Sequence, residues 1–458
     1  MPLASLTAHA ACGRVIAGLR ERAGQDGALE RFHLSTAARY AELLGRSRGV
    51  LMKAGQILSM ADTREWGGGG FGPYLDALKQ VQCEVPPMDP VLVRQLLDAQ
   101  LGAGVGQFAE FVDQPIATAS IGQVHRAVLR DGRAVAVKVQ YPGVARAIED
   151  DLANAELLGT FLKVVRAATA MRTDVGDVAR EVAARIREEV DYRHEAATIK
   201  AFGELYRGHP FIRIPQVVDE ASGDRVLTMT YLDGMDWAQA QHADQDLKNT
   251  WAETIMRFNY STGRLSNLLH GDPHPGNYRY FGDGTVGFLD FGCVQVKTQH
   301  ECYGWTALIR AAVDGRKADM RDLAAQMGLL DADPTLTADE LYRWAVDLMY
   351  DFIAAPQPVT YTPEFRARRI RSMFDFRDRD HTLARVSLPA MMAFTARIQL
   401  NLVNICTTLG ATLPVRAILD DTDGVAEPIT ALGRQHHAWV RERGLRLVPP
   451  HVCGGPAQ

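Results

Sequence analysis

Asp272 and Asn277 are separated by four residues in the stretch His270-Gly271-Asp272-Pro273-His274-Pro275-Gly276-Asn277, and Asp290-Phe291-Gly292 follows shortly after. A lysine, Lys138, lies far upstream in Ala134-Val135-Ala136-Val137-Lys138. These residue types, in this order, suit phosphoryl transfer from a nucleoside triphosphate. That chemistry needs a cation on the phosphates, a carboxylate to hold the cation in place, oxygen ligands for Mg²⁺, and a base near the nucleophile. The spacing from His270 to Asn277 is that of H-R-D-x-x-x-x-N, and Val-Ala-Val-Lys follows the V-A-I-K pattern. Asp272 is therefore expected to orient or deprotonate the nucleophile, Asn277 and Asp290 to ligate Mg²⁺, and Lys138 to grip the phosphates. A lysine flanked by valines needs a partner. Glu195 is the candidate, with Glu181, Glu188 and Glu189 competing on sequence alone. His270 and His274 do not make a zinc pair, because the intervening prolines prevent a helix from bringing them together.

The elements needed to position these groups can be read from periodicity. Residues 1–100 carry a helical apolar pattern, interrupted by Gly67–Gly70 and by Pro86-Pro87. Val124 to Arg130 and Arg133 to Gln140 read as strands joined by Asp131-Gly132 as a two-residue type I′ turn. Two helical stretches follow, at 145–170 and 175–206. Residues 213–231 read as another pair of strands. Beyond Asp233 the pattern is mainly helical, apart from a small hairpin through Asp283-Gly284. The expected fold is α+β, a protein-kinase-like two-lobe architecture with an N-terminal helical extension (1–105), an N-lobe (106–232) and a mainly helical C-lobe (233–458).

Composition narrows the function classes. With 50 basic and 55 acidic residues among 458, the formal charge is −5, and no basic stripe suggests nucleic-acid binding. None of the six cysteines forms a CxxC pair, which suits reduced thiols in a cytosol-like compartment. No apolar run reaches membrane-spanning length. The longest candidate, Val386 to Leu413, is interrupted by Arg397, Asn401 and Asn404 and reads as a buried or amphipathic helix.

Two parts of a conventional protein kinase are missing. Where a G-x-G-x-x-G loop would let bare backbone approach the phosphates, this chain has Ala117-Thr118-Ala119-Ser120-Ile121-Gly122-Gln123-Val124. No A-P-E follows Asp290-Phe291-Gly292. A helical pattern begins near Gln299, leaving little room for a peptide-docking segment.

With these departures the sequence resembles the UbiB/ABC1/ADCK (AarF-type) group of atypical kinases. The resemblance covers roughly residues 35–300. It is carried by Lys53-Ala54-Gly55-Gln56 as a KxGQ motif, the alanine-rich loop Ala117–Gln123, Val135–Gly143, Glu189-Val190-Asp191 as an ExD motif, Glu195, His270–Asn277 and Asp290-Phe291-Gly292. It implies that Lys53 and Gln56 face the nucleotide site near Glu189 and Asp191, on a helix that blocks the place of a protein substrate. Ala117, Thr118, Ala119 and Ser120 would line the nucleotide. The implied cofactors are ATP (or ADP) and Mg²⁺. The implied setting is ubiquinone or other isoprenoid-lipid metabolism, with a quinone lipid, a membrane surface or a biosynthetic protein complex as partner. The C-terminal transmembrane pair of some bacterial members has no counterpart here, so peripheral attachment is expected. The compartment would be cytoplasmic, or mitochondrial or plastid in a eukaryote. Two alternatives stand beside an atypical kinase or ATPase: a small-molecule phosphotransferase of the aminoglycoside or choline kinase type, which shares the catalytic-loop pattern, and a nucleotide-gated lipid-binding protein.

Overall fold

The computed structural model describes residues 87–118, 121–153, 183–184, 186–331, 333–373, 382–387 and 390–445. Residues 1–86, with the KxGQ motif of the expected N-terminal helical extension (1–105), lie outside the described residues. The chain divides into two compact units, one from Met1–His194 with Val218–Thr230, the other from Glu195–Val217 with Tyr231–Gln458.

The first unit is built on an antiparallel sheet of β1 (Phe108–Phe111), β2 (Ala117–Thr118), β3 (Gly122–Leu129), β4 (Ala134–Gln140) and β6 (Val226–Thr230). The main path runs β1-β3-β4-β6, with β2 paired to β3. Alternation along β4 sends Val135, Val137 and Val139 into a core with Val93 and Leu97 of helix α1 (Pro90–Gln100). Ala136 and Lys138 project from the opposite face. Asp89 caps α1 by accepting from the Val91 amide, and a further helix, α2 (Val144–Ala153), follows β4.

The β3–β4 connection is a hairpin, as expected, but its loop has three residues rather than two. The Leu129 carbonyl accepts from Gly132, and the Leu129 N–H donates to the Arg133 carbonyl. Arg130 and Asp131 therefore form a turn that Gly132 closes at φ 88°. One residue needs positive φ here, which only glycine adopts freely. The second hairpin has the same construction, with Gly284 at φ 84° between Phe281 and Thr285.

Helix α3 (Tyr192–Leu205) spans the division between the units. Two strands form in the segment expected at 213–231, but they do not pair with each other: β6 joins β4 in the first unit's sheet. β5 (Ile212–Arg213) instead pairs in parallel with β9 (Val286–Phe288) in the second unit, alongside β8 (Tyr278–Tyr280). The remaining second-unit strands, β7 (Leu268–His270) and β10 (Val294–Val296), pair antiparallel.

The second unit's long helix α4 (Gln245–Leu265) is buried from Trp251 to Thr262. An apolar cluster joins α5 (Gln299–Val313), α6 (Lys317–Gln326) and α7 (Ala338–Leu348) through Trp305, Leu308, Met320, Leu341 and Trp344. After α8 (Pro363–Met373), the segment with the highest apolar content forms α9 (Ala390–Leu409), with Ile398, Leu402, Ile405, Cys406 and Leu409 buried. Among the described residues, no helix is long and apolar enough to cross a membrane.

Buried charge ties α4 to the last two helices, α10 (Val415–Thr422) and α11 (Ala431–Glu442). The guanidinium of Arg257 donates to both carboxylate oxygens of Asp421 at 2.7 and 2.8 Å, to Glu253 at 2.7 Å and to the Thr430 hydroxyl at 3.0 Å. Arg257 and Asp421 are fully buried. The Gly433 position has no room for a side chain, since a Cβ there would lie 2.6 Å from an Arg257 nitrogen. Nearby, His209 Nδ1 accepts from the Ile212 amide, so its Nε2–H donates to His436 Nδ1 at 3.0 Å. Burial, together with His436 and Arg257, pushes His209 down to about 2. Burial, Arg257 and His437 push His436 down to about 3, against the pull of Asp421.

Two predictions follow from this packing. Both histidines are held neutral below the ordinary imidazole value, so below pH ~6.5 the unfolded chain takes up protons that the folded chain refuses. Their stability contribution is present above that pH and is lost as pH falls, at about 1.4 kcal/mol per pH unit for each histidine. Urea unfolding between pH 7.5 and 5 is expected to show this slope, and His436→Gln to halve it. Separately, a Cβ at Gly271 would lie 2.9 Å from Cys293 Sγ and 3.0 Å from the Cys293 carbonyl oxygen. Gly271→Ala is expected to cost about 1–3 kcal/mol in denaturant unfolding, as overpacking does. Cys293→Ala in the same chain should recover part of it.

Candidate functional site

Each unit contributes a group of the residues singled out from the sequence. In the first unit, Lys138 sits at the centre of the sheet, opposite Val124 on β3 and Leu227 on β6. Both neighbouring strands restrict the backbone, so only the side chain can move. It is half-buried, and its Nζ lies 5.5 Å from the ring centroid of Tyr192. Ala117 and Thr118 form β2, exposed and paired with Val124 and Gln123. Ala119 and Ser120 lie outside the described residues. The loop returns to the sheet at Gly122, where a Cβ would stand 2.4 Å from the Val139 carbonyl oxygen and 2.9 Å from the Tyr192 hydroxyl. A glycine at this strand start allows the close approach.

Two polar residues beside the loop have structural partners. Gln123 accepts from the Met88 amide at 2.8 Å, and buried His125 contacts the Val112 carbonyl at 2.9 Å. Burial holds His125 below its ordinary value.

The ExD residues lie at the entrance to α3. Glu189 is half-buried in the helical turn before it. Asp191 is exposed, and its Oδ1 accepts from the amides of Arg193 and His194 at 3.0 Å each, so it caps α3. The preceding turn is pinned by Gln140, whose side chain donates to the Val190 carbonyl at 2.8 Å.

In the second unit, Glu195 is 2% exposed. Its carboxyl carbon lies 4.0 Å from where a Cβ on Gly292 would sit, so it borders the Asp290-Phe291-Gly292 turn. The fully buried Phe291 ring packs on Phe202 of the same helix, at a centroid distance of 4.8 Å, and edge-on to His270 at 5.4 Å.

The β7–β10 ladder brings the two key aspartates into one neighbourhood. His270 pairs with Val294, the Gly271 amide donates to the Cys293 carbonyl at 2.8 Å, and the His270 ring contacts the Asp290 carbonyl at 2.7 Å. The loop after Asp272 is then wound by its own backbone. His274 donates to the Asp272 carbonyl at 2.7 Å, and Asn277 to that of His274 at 2.9 Å. The Asn277 carbonyl in turn accepts from Leu289, the residue before Asp290, at 2.9 Å. Asp290 Oδ1 accepts from Gly292, which sets the rotamer of its carboxylate. Asp272, Asn277 and Asp290 are all half-buried. His274 is exposed and accepts from Gly276 through Nδ1, as a turn residue would.

The sequence reasoning passed over three residues: Gly271, Gly122 and Tyr192. The two glycines gave a signal, each being next to a strand and a polar motif. Tyr192 also gave one, standing one helical turn before Glu195.

A family profile for the ABC1 atypical kinase-like domain matches residues 80–324. The chain is 29% identical over 331 residues to the Saccharomyces cerevisiae protein named atypical kinase COQ8, mitochondrial, covering 69% of this chain and 64% of that protein. It is 29% identical over 365 residues to the Caenorhabditis elegans atypical kinase coq-8, mitochondrial, covering 78% of this chain and 47% of that protein. In both cases it spans less than two thirds of the relative's length. The Mycobacterium tuberculosis protein Rv3197, in its complex with erythromycin, superposes with a TM-score of 0.59 at 29% identity, over 92% of this chain and 98% of that one. The profile covers more than half of the 458 residues, and the fold is the α+β kinase-like one. This chain belongs to the ABC1 atypical kinase-like family.

Proposed function

We propose that this protein is an atypical kinase or ATPase that binds Mg-ATP and acts on a small molecule or lipid rather than on proteins. The observation that carries the reading is the pairing of β7 with β10. It holds Asp272 and Asp290 on adjoining loops, and Leu289 bonds the second loop to Asn277. Asp290 and Asn277 offer a carboxylate and an amide oxygen, which suit a hard cation. Among the described residues no group of three His, Cys, Asp or Glu could hold a metal. That suits Mg²⁺, which binds through one or two protein oxygens and completes its shell with phosphates and water.

In this reading Lys138 takes the phosphates and Glu195 is its carboxylate partner. Asp272 receives the proton of the acceptor hydroxyl or aligns it. Bound Mg²⁺ would neutralise the charge building on the phosphoryl oxygens. Ala117, Thr118, Ala119 and Ser120, which replace a glycine-rich loop, restrict how the backbone meets the phosphates. Lys53 and Gln56, with Glu189 and Asp191, complete the nucleotide surroundings and exclude a protein substrate. Only six residues separate Gly292 from the start of α5 at Gln299, which supports that exclusion. Asp191 already caps α3, so its part is as much to shape the helix entrance as to face the nucleotide.

The resemblance to the UbiB/ABC1/ADCK group supports one acceptor class. We take it to be a quinone or isoprenoid lipid presented at a membrane surface, with the protein attached peripherally. The likeness to the erythromycin complex favours a hydroxylated macrolide as a second acceptor to try.

The test is phosphate release from Mg-ATP by the purified protein, with and without vesicles carrying a quinone headgroup analogue. Asp290→Asn is expected to weaken Mg-ATP binding about tenfold or more, as loss of a charged ligand does. Asp272→Asn should spare binding and lower turnover by about a hundredfold or more. An Asp272→Asn protein that turned over like the parent would remove the proposed base.

A further inference from the structure

Tyr192 is a buried residue that the proposed chemistry does not use. It opens α3, is 2% exposed, and stands where three parts of the first unit meet. Its ring faces the Lys138 ammonium at 5.5 Å. Its hydroxyl lies 2.9 Å from where a Cβ on Gly122 would be, at the end of the alanine-rich loop. The turn leading into it is tied to Gln140, which pairs with Gly122 across β3 and β4. Its backbone position is therefore set from two sides, by the Gln140 bond to Val190 and by the Asp191 cap on α3.

We propose that Tyr192 is a positioning residue that holds the Lys138 ammonium by its ring face while its hydroxyl borders Gly122 at the start of β3. A lysine side chain has four rotatable bonds and would otherwise sample many positions from a rigid strand. An aromatic face draws the cation to one side, most strongly where water is partly excluded. The hydroxyl of the same residue, together with the Val139 carbonyl oxygen, leaves no room for a side chain at position 122, so the residue that faces the cation also borders the start of β3. This inference rests on Lys138 serving the nucleotide.

The test compares Tyr192→Phe, which keeps the ring, with Tyr192→Leu, which removes it. Holding the phosphate-binding cation affects ground and transition states alike, so the loss should appear in KM rather than kcat. Tyr192→Leu is expected to raise KM for Mg-ATP about fivefold to tenfold with kcat within about twofold, and Tyr192→Phe to stay near the parent. A purely structural role would not move a second readout, the NMR signal of isotopically labelled Lys138, assigned by its disappearance in Lys138→Met. It should be shifted upfield by the ring in the parent and in Tyr192→Phe, and lose that shift in Tyr192→Leu. If Tyr192→Leu does not fold, Tyr192→Met, which has a flexible side chain to fill the space, is read the same way. An unshifted Lys138 signal in the parent, or a Tyr192→Leu protein with parental KM, overturns the inference. If Lys138→Met leaves Mg-ATP affinity intact, the nucleotide role of the lysine fails instead, and the NMR signal still decides whether Tyr192 positions it.

Discussion

The second unit's chemistry depends on how closely two backbones approach each other. β7 and β10 are short, and each adjoins a loop carrying an aspartate, after β7 and before β10. The Gly271 amide bonds the Cys293 carbonyl, and the space around Gly271 is filled by Cys293 itself. This contact puts Asp272 two residues beyond the ladder on one strand and Asp290 four residues before it on the other. Neither carboxylate is positioned by a long side chain or a mobile loop. His270 reinforces the geometry with its ring on the Asp290 carbonyl, inside an aromatic cluster with Phe258 and Phe291. Like charges are expensive to bring together in a partly desolvated place. The ladder keeps the two loops adjoining.

The first unit solves a different problem. A half-buried ammonium on a central strand costs free energy unless its surroundings compensate. The sheet directs the apolar side chains of β4 to one face and leaves the other for Lys138 and Ala136. On that second face the small Ala136 gives Lys138 room, and Tyr192 provides a polarisable surface. Gln140, at the end of the same strand, is buried and spends its amide on the turn that starts α3. The strand that carries the cation thus also anchors the turn that leads to Tyr192.

Much of this was legible because it lies in residue spacing. The H-x-D-x₄-N run, the Asp-Phe-Gly turn and the alternation around Lys138 each imply local geometry, and the hairpins at Gly132 and Gly284 formed where expected. The hairpin loops differ by one residue because periodicity marks a turn without revealing which carbonyl accepts the closing bond. The two strands at 213–231 formed, but their partners were not legible. Ile212 and Arg213 have strand-like character but satisfy it by pairing with residues 286 and 287, a long-range choice that local sequence does not encode. Asp191 could be recognised only as part of a motif, whereas its helix-capping bonds depend on backbone torsions. Gly271 and Tyr192 matter through what they touch, and contact between residues distant in sequence is the information that a single sequence lacks.

The Arg257–Asp421 pair has a consequence for how the protein is made. The two residues are 164 positions apart, and Thr430 joins the same cluster still later. At ribosomal speeds of about 5–20 residues per second, α4 waits roughly ten to thirty seconds before its partner carboxylate is synthesised. Throughout that interval the nascent chain holds an arginine in the α4 segment with Glu253 as its neighbour on the same helix. Burying that charge early would be costly. The second unit is therefore expected to stay loosely collapsed on the ribosome, to close late, and to draw on a holding chaperone more heavily than its modest size suggests.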